Sequence, residues 1–478
     1  MSDSAYEQWH DIPATADDPN ALRGRRVLVM GLGLLGGGVS AARYAVEQGA
    51  AEVIVTDLRS ADVLAPSVAK LAGLPIRYVL GRHDPADFAR ADVVVRNPNV
   101  PRHSPYLAAA RAAGARVEME IAWFFRACRA PIAGVTGTRG KSTTTTLLHA
   151  ILREAGMHPL LGGNLGGIET LALLPEATPD RWVVLELGNW MLEGLHTIRR
   201  SPRLAIFTNL LPDHLNAYDS MEDYGAAKSS IFRYQGERDI ALFNADNAYT
   251  RRYAAEAPAG QVWLYSPEQR TAHRRDAPNE SRPFPFADAI RLRGAHNLSN
   301  VQAAALAAEL IGVDAGTIRH AVGGFAGVPH RLEVVGERGG VTYVNDSAST
   351  APVAGIAALC SFTEPVVLIA GGNSKNLDFG EFAAEAAARA KRVIVLQGNS
   401  SDDFAAALRR EAAARGRAEI VRGPIGDLAL ALDEARAAAT PGDVVLLSPG
   451  FTSFGMFLNE FDRGDQFRAL VRALPEGE

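Results

Sequence analysis

A chain of 478 residues, 47% apolar and 22% charged with a net charge of −5, is long enough for about three domain-sized cores and is composed like an ordinary globular protein. The charge balance excludes nucleic-acid recognition through a basic face, and no apolar run reaches the ~18 residues of a membrane-spanning helix, so neither nucleic acid nor membrane is an expected partner. Cys128 and Cys360 have neither metal-ligand spacing nor a disulfide framework, and the acidic N-terminal stretch lacks a leader pattern; a cytoplasmic protein is expected, and a monomer.

Residues 1–24 are polar, hold Pro13 and Pro19, and read as a loosely held arm. The first domain, 25–129, opens with a strand from Arg25 to Met30, the turn Gly31-Leu32-Gly33-Leu34-Leu35-Gly36, a helix from Gly37 and a second strand from Glu52 to Thr56. This is the glycine-rich dinucleotide fingerprint in its strand, turn and helix setting, with Asp57 roughly 20 residues on and placed for a ribose or base edge. Gly33, Leu34, Leu35 and Asp57 are the candidate ligand contacts. A nicotinamide dinucleotide also suits such a turn, and so does no ligand at all. Strands Ile76 to Leu80, Val93 to Arg96 and Arg116 to Glu118 and a helix Glu120 to Arg126 complete a Rossmann-like open α/β sheet.

The second domain, 130–328, carries the strongest signal. Pro131 to Ala133 reads as a buried strand, Gly134 to Thr146 runs GVTGTRGKSTTTT, and a helix follows with Leu147, Leu148, Ile151 and Leu152 on one side. Backbone N–H groups of Gly137, Thr138 and Gly140 can turn inward on a polyphosphate at the helix N-terminus, with Lys141 on the outer phosphates and the hydroxyl of Ser142 or Thr143 on magnesium. Val135 stands where the strict phosphate-loop pattern has its first glycine. Trp182 to Leu187 is apolar enough for a central parallel strand, and Glu186 at its end suits a magnesium ligand. A further strand, Arg203 to Thr208, leads into Asn209-Leu210-Leu211-Pro212-Asp213-His214 at its carboxyl end. Lys228, on a helix from Glu222 to Phe232 with Ala226, Ala227 and Ile231, is either a snorkelling side chain or a buried amine with altered chemistry. Gly260 to Pro285 has no periodicity and reads as a surface excursion. Asn297 and Asn300 open an Ala/Leu-rich helix, either as caps or as readers of an adenine edge.

Phe325 to Arg331 reads as a linker into the third domain, 329–478, which begins with a hairpin (Leu332 to Val335 and Val341 to Asn345). Alternation resumes with strand Val366 to Ala370, helix Phe379 to Ala390, strand Arg392 to Leu396, helices Asp402 to Arg415 and Ile425 to Ala438, and strand Asp443 to Leu447. Asn345-Asp346-Ser347, Gly371 to Lys375 and Ser448-Pro449-Gly450 place three polar turns at strand ends of one sheet, which describes a binding face.

The order GTRGKST, LEL, TNLLPDH, AAK, GAHNLSN, GVPHR, NDS, GGNSK and LSPG, from about Arg25 to Phe467, resembles the Mur ligases, and within them the MurD branch. The resemblance implies three domains: a Rossmann-like N-terminal domain for a UDP substrate, a central P-loop ATPase-like domain and a C-terminal Rossmann-like domain for an amino acid. It implies an ATP-dependent ligase that joins D-glutamate to UDP-N-acetylmuramoyl-L-alanine through an acyl phosphate. In such enzymes Gly33, Leu34, Leu35 and Asp57 would meet the UDP moiety and Asn164 the same substrate. Lys141, Ser142 and Thr143 would bind ATP phosphates and magnesium, Asn297, Asn300, Arg331 and Asp346 would line the ATP site, and Thr350, Lys375 and Ser453 would meet the glutamate. Ser142, Glu186 and His214 would hold magnesium, with a second magnesium on Lys228, which matches the lysine that family members carboxylate. Departures from the family pattern are Arg139 for asparagine, Gly188-Asn189-Trp190-Met191 for Ser-Ser-Phe-Gln, Ala217 for arginine, Ala348 for lysine and Glu460 for phenylalanine. They leave L-glutamate or another amino acid as an alternative, and a folylpolyglutamate-type ligase as a remoter one.

Overall fold

The structure, a computed structural model, describes residues 22–475 except 35, 99, 102, 166–167, 213–217, 219, 293, 295, 375–376 and 454. The expectations on Leu35, His214, Ala217 and Lys375 fall outside the described residues. None of the described helices is long and apolar enough to cross a membrane.

Strands β1 (Arg26–Met30), β2 (Glu52–Asp57), β3 (Ile76–Leu80), β4 (Val93–Arg96) and β5 (Arg116–Glu118) form a five-stranded parallel sheet of order β3-β2-β1-β4-β5. Alternation along β1 sends Val27 and Val29 to one apolar core and Leu28 and Met30 to another, so both faces are covered, as a wholly parallel sheet requires. Leu22 is buried in the first of these cores and Gly24 N–H bonds Gly49 O, so residues 22–24 of the expected arm are packed chain, and its residues 1–21 lie outside the described residues.

The second sheet has eight strands: β6 (Ile132–Thr136), β7 (Leu160–Gly163), β8 (Val183–Glu186), β9 (Leu204–Phe207), β10 (Ile240–Asn244), β11 (Gln261–Ser266), β12 (Thr271–Arg274) and β13 (Ala277–Pro283), in the order β13-β12-β11-β10-β9-β6-β8-β7. The expected surface excursion from Gly260 to Pro285 is instead three strands, one parallel and two antiparallel, that extend this sheet. Edge strand β13 is mostly exposed and so leaves no hydrophobic period to read, while backbone pairing holds it and Arg282 lies 4.6 Å over the Trp263 ring.

The helix Glu120–Ala127 buries Ile121, Trp123, Phe124 and Phe125 and packs against the helix Asn189–Ile198 and the 3-10 turn Thr170–Glu176. Each such side chain contributes about 1.5–3 kcal/mol on burial, which joins the first two sheets into one compact unit, Met1–Ile290 with His296–Gly323.

The other unit is Arg291–Ala295 with Gly324–Glu478. Its six-stranded sheet contains β14 (Glu333–Arg338), β15 (Val341–Asn345), β16 (Val366–Gly371), β17 (Ala390–Leu396), β18 (Val421–Ile425) and β19 (Val444–Leu447), in the order β14-β15-β19-β16-β17-β18. Helices cover both faces, Phe382 and Phe404 on one and Leu432 and Phe467 on the other. Strand β18 takes the start of what reads as a helix from Ile425, which begins instead at Leu428. Gly423 and Pro424 argue against a strand by composition, but an edge position tolerates both.

Candidate active site

The phosphate loop lies between β6 and the helix Lys141–Glu154. Gly140 caps that helix with φ 81°, and a Cβ placed on it would lie 2.1 Å from Asn300 Oδ1; on Gly137, with φ 152°, it would lie 2.0 Å from Thr208 Oγ1. Only glycine fits either position. The loop is gripped from the end of β9: Thr138 N–H donates to Asn209 O (2.9 Å), Arg139 N–H to Asn209 Oδ1 (2.9 Å), and Thr208 Oγ1 to Arg139 O (2.7 Å). Thr208 and Asn209 were legible only as a strand end; their hold on the loop appears once β6 and β9 are neighbours.

Lys141 Nζ donates to Gly137 O and Thr138 O, both at 3.0 Å, and Lys228 Nζ donates to the same Gly137 O at 3.1 Å. Two ammonium groups thus share one carbonyl at the loop, a concentration of positive charge suited to a polyanion. Lys228, at the end of the helix Met221–Ser229, is 1% exposed with its amine 4.8 Å from the Tyr224 ring centroid, which selects the buried amine over the snorkelling side chain. Ser142 is buried and Thr143 half-buried at the first turn above the loop.

Glu186 ends β8, whose register puts it beside Val135 of β6. Its Oε1 accepts from Asn164 Nδ2 (3.0 Å), whereas its buried Oε2 has no hydrogen-bond partner among the described residues. A buried carboxylate oxygen without a donor is costly unless a cation completes it. Among the described residues no group of three His, Cys, Asp or Glu side chains forms a metal cluster by itself, so hydroxyl, phosphate or modified-lysine oxygens would have to complete the shell. The helix His296–Ile311 packs along the phosphate-loop helix; Asn300 Nδ2 donates to Asn297 Oδ1 (2.9 Å), which fixes the Asn300 oxygen against Gly140.

At the glycine-rich turn of the first sheet, Asp57 Oδ2 accepts from Gly33 N–H (3.1 Å) and Oδ1 from Arg59 N–H (2.9 Å). Asp57 therefore clamps the turn itself, and Leu34 packs half-buried against the core. Gly137, Thr138, Gly140, Lys141, Ser142, Thr143, Asn164, Glu186, Lys228, Asn297 and Asn300 all fall in this first unit, most of them at the phosphate loop.

Arg331, Asp346, Thr350 and Ser453 belong to the other unit, at the carboxyl ends of the adjacent strands β15, β19 and β16 or the turns beside them. Of the three turns expected to form a binding face, that at residues 371–374 is tied to the segment after Ser448-Pro449-Gly450 by the Asn373–Thr452 bridge. Asp346 accepts from Ser448 Oγ (2.7 Å) and Leu332 N–H (3.1 Å), yet burial pushes its pKa up to about 6, with the exposed Arg331 pulling the other way. Ser453 Oγ is buried without a partner among the described residues, and Thr350 is half-buried. Arg463, 1% exposed, donates to Ser347 Oγ (2.9 Å), Ser347 O (2.8 Å) and Phe451 O (3.3 Å); burial lowers its pKa to about 10. It ties the turn carrying Asp346 to the segment carrying Ser453, a role with no local signature in sequence.

Residues 25–118 match the Mur ligase MurD-like N-terminal domain, 135–308 the Mur ligase middle domain and 330–451 the Mur ligase glutamate ligase domain. The chain is 48% identical over 468 residues to the UDP-N-acetylmuramoylalanine–D-glutamate ligase of Roseiflexus sp. (strain RS-1), covering 95% of this chain and 99% of that protein. The chain belongs to the Mur ligase family. A second Mur ligase with the same designation, from Symbiobacterium thermophilum, is 39% identical over 94% of this chain and 98% of its own length. Two Thermotoga maritima structures share the fold of this Mur ligase: the UDP-N-acetylmuramate–alanine ligase MurC, with TM-score 0.61 and 19% identity over 94% and 99% of the two chains, and MurF in complex with ADP, with TM-score 0.54 and 17% identity over 96% and 100%.

Proposed function

We propose that this Mur ligase joins D-glutamate to UDP-N-acetylmuramoyl-L-alanine, using ATP and magnesium, as a step of peptidoglycan-precursor synthesis in the cytoplasm. The observation that carries the substrate is the 48% identity, over nearly the whole of both chains, to a protein named for that reaction. The phosphate loop supports the chemistry: a carboxylate attacking the γ-phosphate brings two anions together, and the Lys141 ammonium at the loop offsets that repulsion. The bond from the γ-phosphorus to the bridging oxygen breaks, so the products of this step are an acyl phosphate and ADP. The neutral amine of glutamate then attacks the acyl carbon, and inorganic phosphate leaves as the amide forms.

Ser142, Glu186, His214 and Lys228 are the residues that would hold magnesium, with Lys228 carrying CO2 as a carbamate; the buried, unpartnered Glu186 Oε2 fits a cation there. Bound magnesium would polarise the phosphoryl oxygens. Asn297 and Asn300 would border the nucleotide; in the third domain Arg331 and Asp346 are the candidates for ATP, and Thr350, Lys375 and Ser453 would receive the amino acid. Gly33, Leu34, Leu35, Asp57 and Asn164 would meet the UDP substrate. The test is ADP release with UDP-N-acetylmuramoyl-L-alanine and D- or L-glutamate in parallel. Turnover with D-glutamate is expected, and none with either amino acid would refute the proposal. The alternative, L-glutamate or another amino acid, draws on Glu460 and Ala348, and preferential turnover of L-glutamate would favour it.

A further inference from the structure

Between the glycine-rich turn of the first sheet and the phosphate loop of the second runs a line of contacts, half-buried at the turn and buried beyond Arg96. Asn97 Nδ2 donates to Gly31 O (3.3 Å), and a Cβ placed on Gly31 would meet Asn97 Cβ at 2.7 Å, so the chain after β4 lies directly on that turn. Val100 N–H bonds back to Asn97 O (2.9 Å), and Val100 O accepts from Arg96 NH1 (3.1 Å) at the end of β4. The Arg96 guanidinium then crosses into the second sheet's helices to pair with Glu193. Glu193 Oε1 accepts from Tyr218 OH (2.8 Å), which accepts in turn from Asn189 Nδ2 (2.8 Å). The Tyr218 ring stacks on Trp190 (5.4 Å, 15°) and tilts against Tyr224 (5.3 Å). Tyr224 carries the Lys228 amine over its ring, with its hydroxyl 3.4 Å from Thr138 Oγ1 in the phosphate loop.

Asn189 and Trp190 thus both engage Tyr218, one through its hydroxyl and the other through its ring, at the middle of the line.

We propose that Glu193 and Tyr218 are positioning residues that couple occupancy of the Gly31 turn to the placement of Lys228 and Thr138. Neither touches a reacting atom. A ligand that seats on the Gly31 turn fixes Asn97 and, through Arg96, the Glu193 carboxylate; Glu193 fixes Tyr218, and the ring contact fixes Tyr224 beneath Lys228. The two sites then bind with a coupling factor that is equal in both directions. The inference rests on the assignment of the UDP substrate to the first domain.

The experiment is calorimetric titration of the full chain with AMP-PNP and magnesium, without and with saturating UDP-N-acetylmuramoyl-L-alanine. The wild type should show at least about fivefold tighter AMP-PNP binding in the ternary complex, within the usual range of such couplings. Tyr218→Phe keeps the stacked ring and removes the bonds to Glu193 and Asn189; it should bring the factor below about twofold while each ligand alone binds within about twofold of wild type. Asn189→Ala, removing one of those bonds, is the second variant should Tyr218→Phe not fold, and should lower the factor partway. Glu118→Gln, in a buried pair off this line with Arg126 and Trp123, should lower the Tm and leave the factor unchanged. Wild-type coupling in Tyr218→Phe, equal loss in Glu118→Gln, or a factor of one in the wild type overturns the coupling and leaves the ligase reading standing. Failure of the wild type to bind the UDP substrate at all overturns that reading and this inference with it.

Discussion

Replacing Gly140 by alanine tests the phosphate loop at its tightest point. The backbone there has φ 81°, where an L side chain costs about 1–2 kcal/mol. The new Cβ would stand 2.1 Å from Asn300 Oδ1, so Asn300 must move and its 2.9 Å hydrogen bond to Asn297 is lost, a further ~0.5–1.5 kcal/mol. Together roughly 2–3 kcal/mol acts against the loop conformation proposed to cradle phosphate. A loop that relaxes elsewhere must be brought back on nucleotide binding, so the Kd for ADP with magnesium should rise by about 30- to 150-fold. Titration calorimetry measures this, with circular dichroism to show that the fold survives. A cycle with Asn300→Ala separates the two contributions: in the Asn300→Ala background the methyl group meets no oxygen, and the penalty of Gly140→Ala should shrink by about 1 kcal/mol. Gly140→Ala with wild-type affinity and Tm, or a penalty that is the same in both backgrounds, would refute the argument.

Lys141→Met should lower kcat by about 100-fold or more with little loss of Tm, because its ammonium donates to loop carbonyls from a half-buried side chain; single-turnover ADP formation reads it. Glu186→Gln keeps the shape and the Asn164 contact but removes the charge, so the magnesium concentration for half-maximal activity should rise by about tenfold or more; an unchanged magnesium requirement would remove Glu186 from the metal site. Glu120, whose Oε1 is sealed from solvent, has its pKa pushed up to about 7, first by burial and then by the Glu169 charge, with the nearby Ser40 and Leu171 pulling the other way. Its folded pKa exceeds the unfolded value, so the folded state keeps a proton that the unfolded chain releases. The stabilisation is complete below about pH 4.5 and lost as pH rises through about 7, at most ~3 kcal/mol in all. Glu120→Gln, which mimics the protonated form, should flatten the Tm against pH curve across that window, and a curve identical to wild type would count against the buried carboxyl.

The glycine-lysine turn, the carboxylate of LEL and the lysine of AAK are all legible in order along the chain, because each lies near the end of a strand or helix that local pattern can locate. Local pattern also gave most strands of the three sheets. It could not give β13, an exposed edge strand without a hydrophobic period, nor β18, whose Gly and Pro speak against a strand until its edge position is known. Partners distant in sequence were likewise hidden. Asn209 gripping Arg139, Asn300 standing against Gly140 and Arg463 tying Ser347 to Phe451 depend on which strands and helices become neighbours. Residue type and short-range spacing carry the identity of the reactive groups, since these reflect what each group must do. Which side chains hold them in place is settled by long-range packing, where any of several polar residues can supply the same hydrogen bond and only the assembled sheets choose among them.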